Sequence, residues 1–479
     1  MSYPLNRAAA TLAATLTLAS CASMNGLGTH SAIDAPANLA ASKSLGRAQL
    51  SPAGWPQRDW WKRFGDPQLD RLMDEALAGS PTLRIAQARA RKALAFTEAA
   101  EASLYPRMDG DAQITHQRFP EHGLVPPPFA GSWETQARLQ GTLDFDLDLW
   151  GKNRAAYASA VGLAKAAEVD AYAARLALSV SIAQAYVELE RAYLQLDVAQ
   201  KALAEREHIF RLTQQRFDAG IDTRLAVKQA EAALPAMRER IAQLQEVIGL
   251  MRNQIAALLG QGPDRGLAIT RPAASTLAAA ELPSTLPAAL LGRRPDIVAQ
   301  RWRVEAASKD IDVAKAQFYP NVSLIAFAGL QSIGLPGFLD AASRTFGVGP
   351  ALTLPIFDAG RLRGNLSGTQ ADYDAAVERY NEALVNALRD VVDQLTSFRS
   401  LEEQRKQQTH AQTTAQEAFD LALLRFREGV GNYLEVLSAE SQLLAQQSLD
   451  ADLRARRSSL AINLVRALGG GFEDAARTK

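Results

Sequence analysis

Two stretches of this chain match at an offset of roughly 210 residues, and a repeat on that scale constrains the fold before any single element does. Pro81 and Pro295 each open a helix-like segment, after Gly79-Ser80 and Gly292-Arg293-Arg294. Each segment ends in a Tyr-Pro pair, Tyr105-Pro106 and Tyr319-Pro320, the same 24 residues from its first proline. Further on, Arg216-Phe217-Asp218-Ala219-Gly220 answers Arg425-Phe426-Arg427-Glu428-Gly429. Three ordered landmarks at a near-constant offset predict two copies of one unit: helix, strand pair, very long helix, turn, long helix. The copies occupy residues 59–270 and 292–479, joined by a linker at 271–291.

The strands carry the sharpest pattern. Over residues 132–149, Trp133, Leu139, Leu143, Phe145 and Leu147 alternate with Glu134, Arg138, Gln140, Thr142, Asp144, Asp146 and Asp148. Period two is a strand signal. At about 3.3 Å per residue this one would run roughly 60 Å, beyond an ordinary soluble strand. Its partner is predicted at 107–118, and the second copy repeats the arrangement at 321–331 and 345–357. Breakers between them, Pro126-Pro127-Pro128 and Gly334-Leu335-Pro336-Gly337, suit hairpin ends.

A soluble sandwich would need a second sheet over the apolar face. An outer-membrane barrel would set that face against lipid and the Asp/Gln/Thr face around water. Four strands cannot close a barrel, and open edges in hydrocarbon leave backbone groups unpaired at several kcal/mol each. If the strands span lipid, their edges must pair between chains. Three copies give twelve strands.

From about Arg154 to Phe217 there is no proline and one glycine, Gly162, in a run of strong helix formers. Residues 362–427 likewise hold no proline, with Gly364 and Gly368 near the start. About 64 residues at 1.5 Å each give roughly 95 Å, a length for coiled-coil packing rather than a globule. Gly220 and Gly429 suit the left-handed residue that ends a helix, and return helices follow at 223–259, with a kink expected at Pro235, and 432–468. A structural rod and the wall of a helical tube of twelve helices are both compatible with such lengths.

Composition narrows the function. The chain has 52 basic and 52 acidic residues, so no basic face for nucleic acid is expected. The five histidines are scattered, no phosphate loop or nucleophile elbow stands out, and neither an enzyme, a cofactor nor a metal site is expected. The single cysteine, Cys21, follows a basic residue, a short apolar stretch and Leu18-Ala19-Ser20. That is a signal peptide at 1–20, too short to span a bilayer. Residues 21–58, rich in Ala, Ser, Gly and Pro, read as an extended tether.

The stretch ending at Cys21 resembles a bacterial lipobox, which implies acyl chains on that residue. With the repeated strand-pair-plus-long-helix unit, the Tyr-Pro pairs and Gly292-Arg293-Arg294-Pro295-Asp296, the chain resembles the outer membrane factor family. These are TolC-like exit ducts, and the resemblance is to the lipoprotein branch of NodT and OprM type. The resemblance implies a mainly α fold with a β-barrel part: a trimeric 12-stranded outer-membrane barrel, four strands per chain, above a periplasmic barrel of twelve helices. It implies an equatorial belt near 59–80, 261–291 and the C-terminus. It implies as partners a periplasmic adaptor (membrane fusion) protein, an inner-membrane pump of the resistance-nodulation-division type, and outer-membrane lipid.

In the family the periplasmic end closes where second-repeat helices converge. The matching stretch holds Asn432, Glu435 and Ser438, with serine where members often carry aspartate. Glu435 is the gate candidate, with Arg425, Arg427 or Arg224 as ion-pair partners; it is equally an ordinary solvated helix charge. Asp144, Asp146 and Asp148 are the pore-lining candidates, whether simply keeping the lumen wet or holding a cation. The function expected is passive efflux of small molecules. A pore-less coiled-coil lipoprotein of the periplasm and a type I protein secretion channel stand as alternatives.

Overall fold

The computed structural model describes residues 23–35, 39, 43, 50–51, 55–273, 282–283 and 290–473. After a 3-10 turn at Trp60–Phe64 come α1 (Pro67–Gly79) and α2 (Pro81–Ala102). Next are β1 (Arg107–Arg118), β2 (Trp133–Asp146), α3 (Lys152–Asp218) and α4 (Arg224–Leu258). The second copy runs α5 (Pro295–Ala316), β3 (Asn321–Ile333), β4 (Arg344–Thr353), α6 (Arg361–Arg427) and α7 (Tyr433–Ala467). The repeat is quantitative. α2 and α5 have 22 residues each, α3 and α6 have 67, and α4 and α7 have 35.

The described residues within 1–33, 89–167 and 299–381 form one compact body, and those within 34–88, 168–298 and 382–479 form another. The first body holds the sheet. Its order is β1-β2-β3-β4, antiparallel throughout, with Arg107 opposite Asp144, Leu139 opposite Leu330 and Ala328 opposite Phe346. β1 and β4 each pair on one side only among the described residues. Pro350 sits in β4, an edge strand, where a missing N–H costs no ladder bond if it faces outward.

Both outgoing strands stop sooner than the alternation predicts. β2 ends at Asp146 rather than 149, because Asp148 takes a left-handed φ of 45° and turns the chain into α3. β4 ends at Thr353 rather than 357, two residues before Pro355, which has no N–H to give a ladder.

The tether expected at 21–58 is partly strapped down. In the first body, Met24 and Leu27 pack on Ile311, Phe318, Leu362 and Leu366. The Arg363 guanidinium donates to the carbonyls of Ser23 and Asn25. The backbone N–H groups of His30 and Ser31 donate to the Asp374 carboxylate at 3.0 Å, and Asn381 Nδ2 donates to the Ala32 carbonyl. An Ala/Ser/Gly composition gives no sign of such anchors, because they belong to α6.

In the second body, the indoles of Trp60 and Trp61 pack with Leu69, Leu72 and Met73 of α1 against Ile182, Tyr186 and Leu189 of α3. Asp66 caps α1 through Gln68 N at 2.8 Å and also accepts from the Tyr186 hydroxyl at 2.5 Å and Ala273 N. Burial and that bond push the Tyr186 phenol well above its usual range. α4 runs unbroken through Pro235. The two long hairpins turn at Gly220 and Gly429, with φ of 76° and 81°. At each, a backbone N–H three residues past the helix bonds back five residues, Ile221 to Arg216 and Val430 to Arg425. Only glycine enters that left-handed position without strain.

Candidate functional site

The register assigns the two faces of the sheet. Residues directly opposite share a face. Met108, Leu143, Ala326 and Val348 form one row and Gly110, Gly141, Ala328 and Phe346 the next, so each of the four strands sets apolar residues on this one side. Among the described residues nothing covers its outer positions: Phe346, Met108 and Val348 are 80%, 77% and 74% exposed. The other side carries Asp111, Arg138, Gln140 and Thr142, linked as Arg138 Nε to Gln140 at 3.0 Å and Gln140 to Thr142 at 3.1 Å. Phe327 and Ile325 join this side in the second repeat, so its polarity is concentrated in β1 and β2.

Aromatic rings mark both ends. His116 stacks on Trp133 at the start of β2. Trp150 stacks on Tyr319 at 4.6 Å beyond its end and donates to the Pro320 carbonyl. A two-faced sheet with aromatic ends is the pattern of a transmembrane β-barrel wall. No described helix is long and apolar enough to cross a membrane.

The three aspartates of the predicted ladder do different jobs. Asp144 is in the strand, opposite Arg107. Asp146 accepts from Asp148 N at 3.0 Å and pairs with Lys152 at 3.2 Å. Asp148 lies outside the strand. It accepts from Asn153 N at 2.9 Å and from Arg154 N and Nε, so it caps the start of α3. Asp146 keeps its place in the strand, opposite Ser323, and helix-capping geometry takes only Asp148 from the alternation that a period-two reading assigns it.

At the hairpin turns, Glu435 is held by its own helix. Asn432 caps α7 by accepting from Glu435 N at 3.0 Å, and its amide donates to Glu435 Oε1 at 3.0 Å. Arg425 approaches Glu435 at 3.9 Å with both side chains exposed, a contact of little energetic weight. Arg427 instead faces His208 at 3.3 Å. Arg224, at the start of α4, and Ser438 are exposed, and Arg224 makes no ion pair with Glu435 among the described residues. Cys21 lies outside the described residues.

The buried ties at this end are others. Arg216 pairs with Asp222 at 2.6 Å, donates to the Phe426 carbonyl at 2.5 Å and lies 4.4 Å over the Phe426 ring. Arg206 pairs with Glu440 at 2.9 Å, where only 4% of the carboxylate side chain is exposed. Burial pushes Glu440 upward, with Arg206 pulling the other way and Glu205 adding to the rise. Both ties link α3 to the second-repeat hairpin. The sequence signal for Arg216 was available in the Arg-Phe-x-x-Gly match; nothing in the sequence distinguishes Arg206 from other helix arginines.

The Gly-Arg-Arg-Pro-Asp motif also resolves into structure. Arg294, buried, bonds Asp296 at 2.6 and 3.0 Å, Asp390 of α6 at 3.3 Å and the Ala467 carbonyl at the end of α7. It joins the start of α5, the middle of α6 and the end of α7.

A sheet with one lipid-ready face, in a chain whose two repeats each continue into a long helical hairpin, defines an outer-membrane channel subunit. Comparison with known proteins places it further. The family model described as outer membrane efflux protein matches residues 72–261 and 286–470. The fusaric acid resistance protein FusA of Burkholderia cepacia is 42% identical over 370 residues, 76% of this chain and 69% of that protein. The multidrug resistance outer membrane protein MdtP of Escherichia coli K12 is 32% identical over 88% of each. The crystal structure of the outer membrane protein VceC from Vibrio cholerae superposes with a TM-score of 0.81 at 39% identity, covering 88% of this chain and 100% of that one. The chain belongs to the outer membrane efflux protein family. It is an outer-membrane efflux channel protein, with the mainly helical fold and four-stranded sheet of that class.

Proposed function

We propose that three copies of this chain close one twelve-stranded barrel and one tube of twelve helices. That duct passes small toxic molecules to the exterior without a catalytic step. The observation that carries this reading is the sheet, whose apolar face is exposed and whose two edges, β1 and β4, lack partners among the described residues. In hydrocarbon every backbone group must be satisfied, and pairing β4 of one copy with β1 of the next does so. Fusaric acid and multidrug resistance in the relatives' names support small-molecule cargo over secreted protein.

The duct receives cargo from a resistance-nodulation-division pump through a periplasmic adaptor. Exposed apolar residues at matched positions of the two turns, Ile221 and Leu225, Val430 and Leu434, offer the adaptor a surface in each repeat. Cys21 carries the lipid anchor. Asp144 lines the water-filled lumen, with Asp146 and Asp148 at its rim. Asn432, Glu435, Ser438, Arg425, Arg427 and Arg224 form the periplasmic constriction.

Purified full-length protein should run as a trimer by light scattering and give stepwise conductance in planar bilayers. A monomer, or bilayers that stay silent, overturns the reading. Glu435→Ala should raise conductance and lower cation preference; unchanged values remove Glu435 from the constriction.

A further inference from the structure

The second body contains a cavity of about 570 Å³ beside the C-terminal end of α7. It is of the size that holds a drug-like ligand. Three arginines face it, Arg58, Arg175 and Arg293, against one lining carboxylate, Glu473. Glu473 is already engaged by Arg293 at 2.9 Å, and Arg293 lies 4.8 Å over the Trp55 ring. Asp59, whose charge also reaches Arg175, is held by Lys62 at 2.8 Å. Arg175 has no hydrogen bond or ion pair among the described residues, and Arg58 has only the face of Tyr172, 5.2 Å away. Burial, and then the like charge of Arg58, hold the Arg175 guanidinium below its usual range. Arg175 and Arg58 thus stand together at the cavity with no ion pair of their own among the described residues, an arrangement that a bound negative group relieves.

The rest of the wall is aromatic. Tyr172 and Phe472 stand 5.4 Å apart with their rings tilted by 55°. Trp60 and Trp61 line the cavity as well, and their buried indole N–H groups have no acceptor among the described residues. The floor is bare backbone. Gly469, Gly470 and Gly471 have φ of 87°, 59° and 82°. A Cβ on Gly470 would stand 2.1 Å from Leu176, and one on Gly471 2.3 Å from the Gln57 backbone. No larger residue closes the chain here in this way.

We infer that this cavity is a binding site for a small organic anion with a planar aromatic body. Arg175 and Arg58 take its carboxylate or sulfonate, and Tyr172, Phe472 and Trp55 take its ring. An aromatic face and a guanidinium pair together select charge and ring at once. All the lining residues named belong to one chain.

The test is calorimetric titration of the full-length protein, held in amphipol, with 2-naphthoate, its neutral analogue 2-naphthamide, and inorganic phosphate. Naphthoate should bind saturably, one site per chain, and about tenfold or more tighter than either comparison compound. Arg175→Gln and the exposed Arg58→Gln should each weaken it about tenfold or more, while Lys62→Gln leaves it unchanged. The Arg58 variant alters no buried contact, so the result stands even if Arg175→Gln unfolds. Naphthamide binding as tightly would reduce the cavity to an apolar cleft, and phosphate binding as tightly would make it a simple anion site. Either result overturns the inference, as does naphthoate binding that is absent or that Arg58→Gln leaves intact.

Discussion

Glu440 carries an ionisable group into a place that disfavours its charge. Among the described residues its cationic partner is Arg206, and Glu205 and the Tyr433 phenol, itself pushed up by burial, are the other groups acting there. Because its folded pKa is raised, the folded protein binds a proton more readily than the unfolded chain. The stability it contributes is therefore present at low pH and falls as pH rises from the ordinary glutamate range through the raised value. Glu440→Gln keeps an acceptor for Arg206 and abolishes the titration. Thermal unfolding measured from acidic to neutral pH should show the variant gaining on the natural protein as pH rises. Parallel profiles would place Glu440 outside the pH response. Residues such as this were not legible in the sequence. Arg206 and Glu440 look like any charges on a long helix, and only packing of α3 against α7 buries them. Glu435, by contrast, stands out beside the turn, yet its carboxylate serves the cap of its own helix.

The helices were legible nearly to the residue, because absence of proline and a matched repeat fix their ends from two sides. Predicted runs of 154–217 and 362–427 correspond to Lys152–Asp218 and Arg361–Arg427. Strand ends were not, since alternation continues through Leu147 and Leu354 while Asp148 and Pro355 redirect the backbone. The two faces of the sheet make a direct prediction. Leu143→Arg, on the bare apolar side, should cost about 2–4 kcal/mol if it sits near the bilayer midplane. Gln140→Arg, on the polar side, should be tolerated. Outer-membrane yield and heat resistance of the assembled protein read the difference, and equal losses would contradict the face assignment. The strap yields another. Asp374 accepts from both His30 N and Ser31 N. Asp374→Ala should speed hydrogen exchange over residues 24–33 while changing global stability by about 1 kcal/mol, the net worth of such bonds.

At the scale of the assembled molecule, the two repeats break their own symmetry at one place. Arg216 and Arg425 occupy matched positions, as do Phe217 and Phe426. Yet Phe426 is fully buried while Phe217 is 37% exposed, and the side chain of Arg216 is 9% exposed against 60% for Arg425. Within one chain the first-repeat arginine covers the second-repeat phenylalanine. If three chains alternate first and second hairpins around a tube, every hairpin meets a neighbour on both sides. The equivalent contact then sets Arg425 of one chain over Phe217 of the next. This accounts for why Arg425 and Phe217 are left open in a single chain. It also separates the two contacts experimentally, because one lies within a chain and the other between chains. Removing Arg216 would strand a buried Asp222 carboxylate and the Phe426 carbonyl, at about 3–5 kcal/mol. The whole-molecule contact is better read by cross-linking. With Cys21 the only native cysteine, the pair Arg425→Cys and Phe217→Cys treated with a short bis-maleimide should give dimers and trimers on denaturing gels. The pair Arg216→Cys and Phe426→Cys should give only an internally linked monomer. Chain-to-chain products from the second pair and none from the first would mean that the hairpins do not alternate, and the packing of the tube would have to be drawn differently.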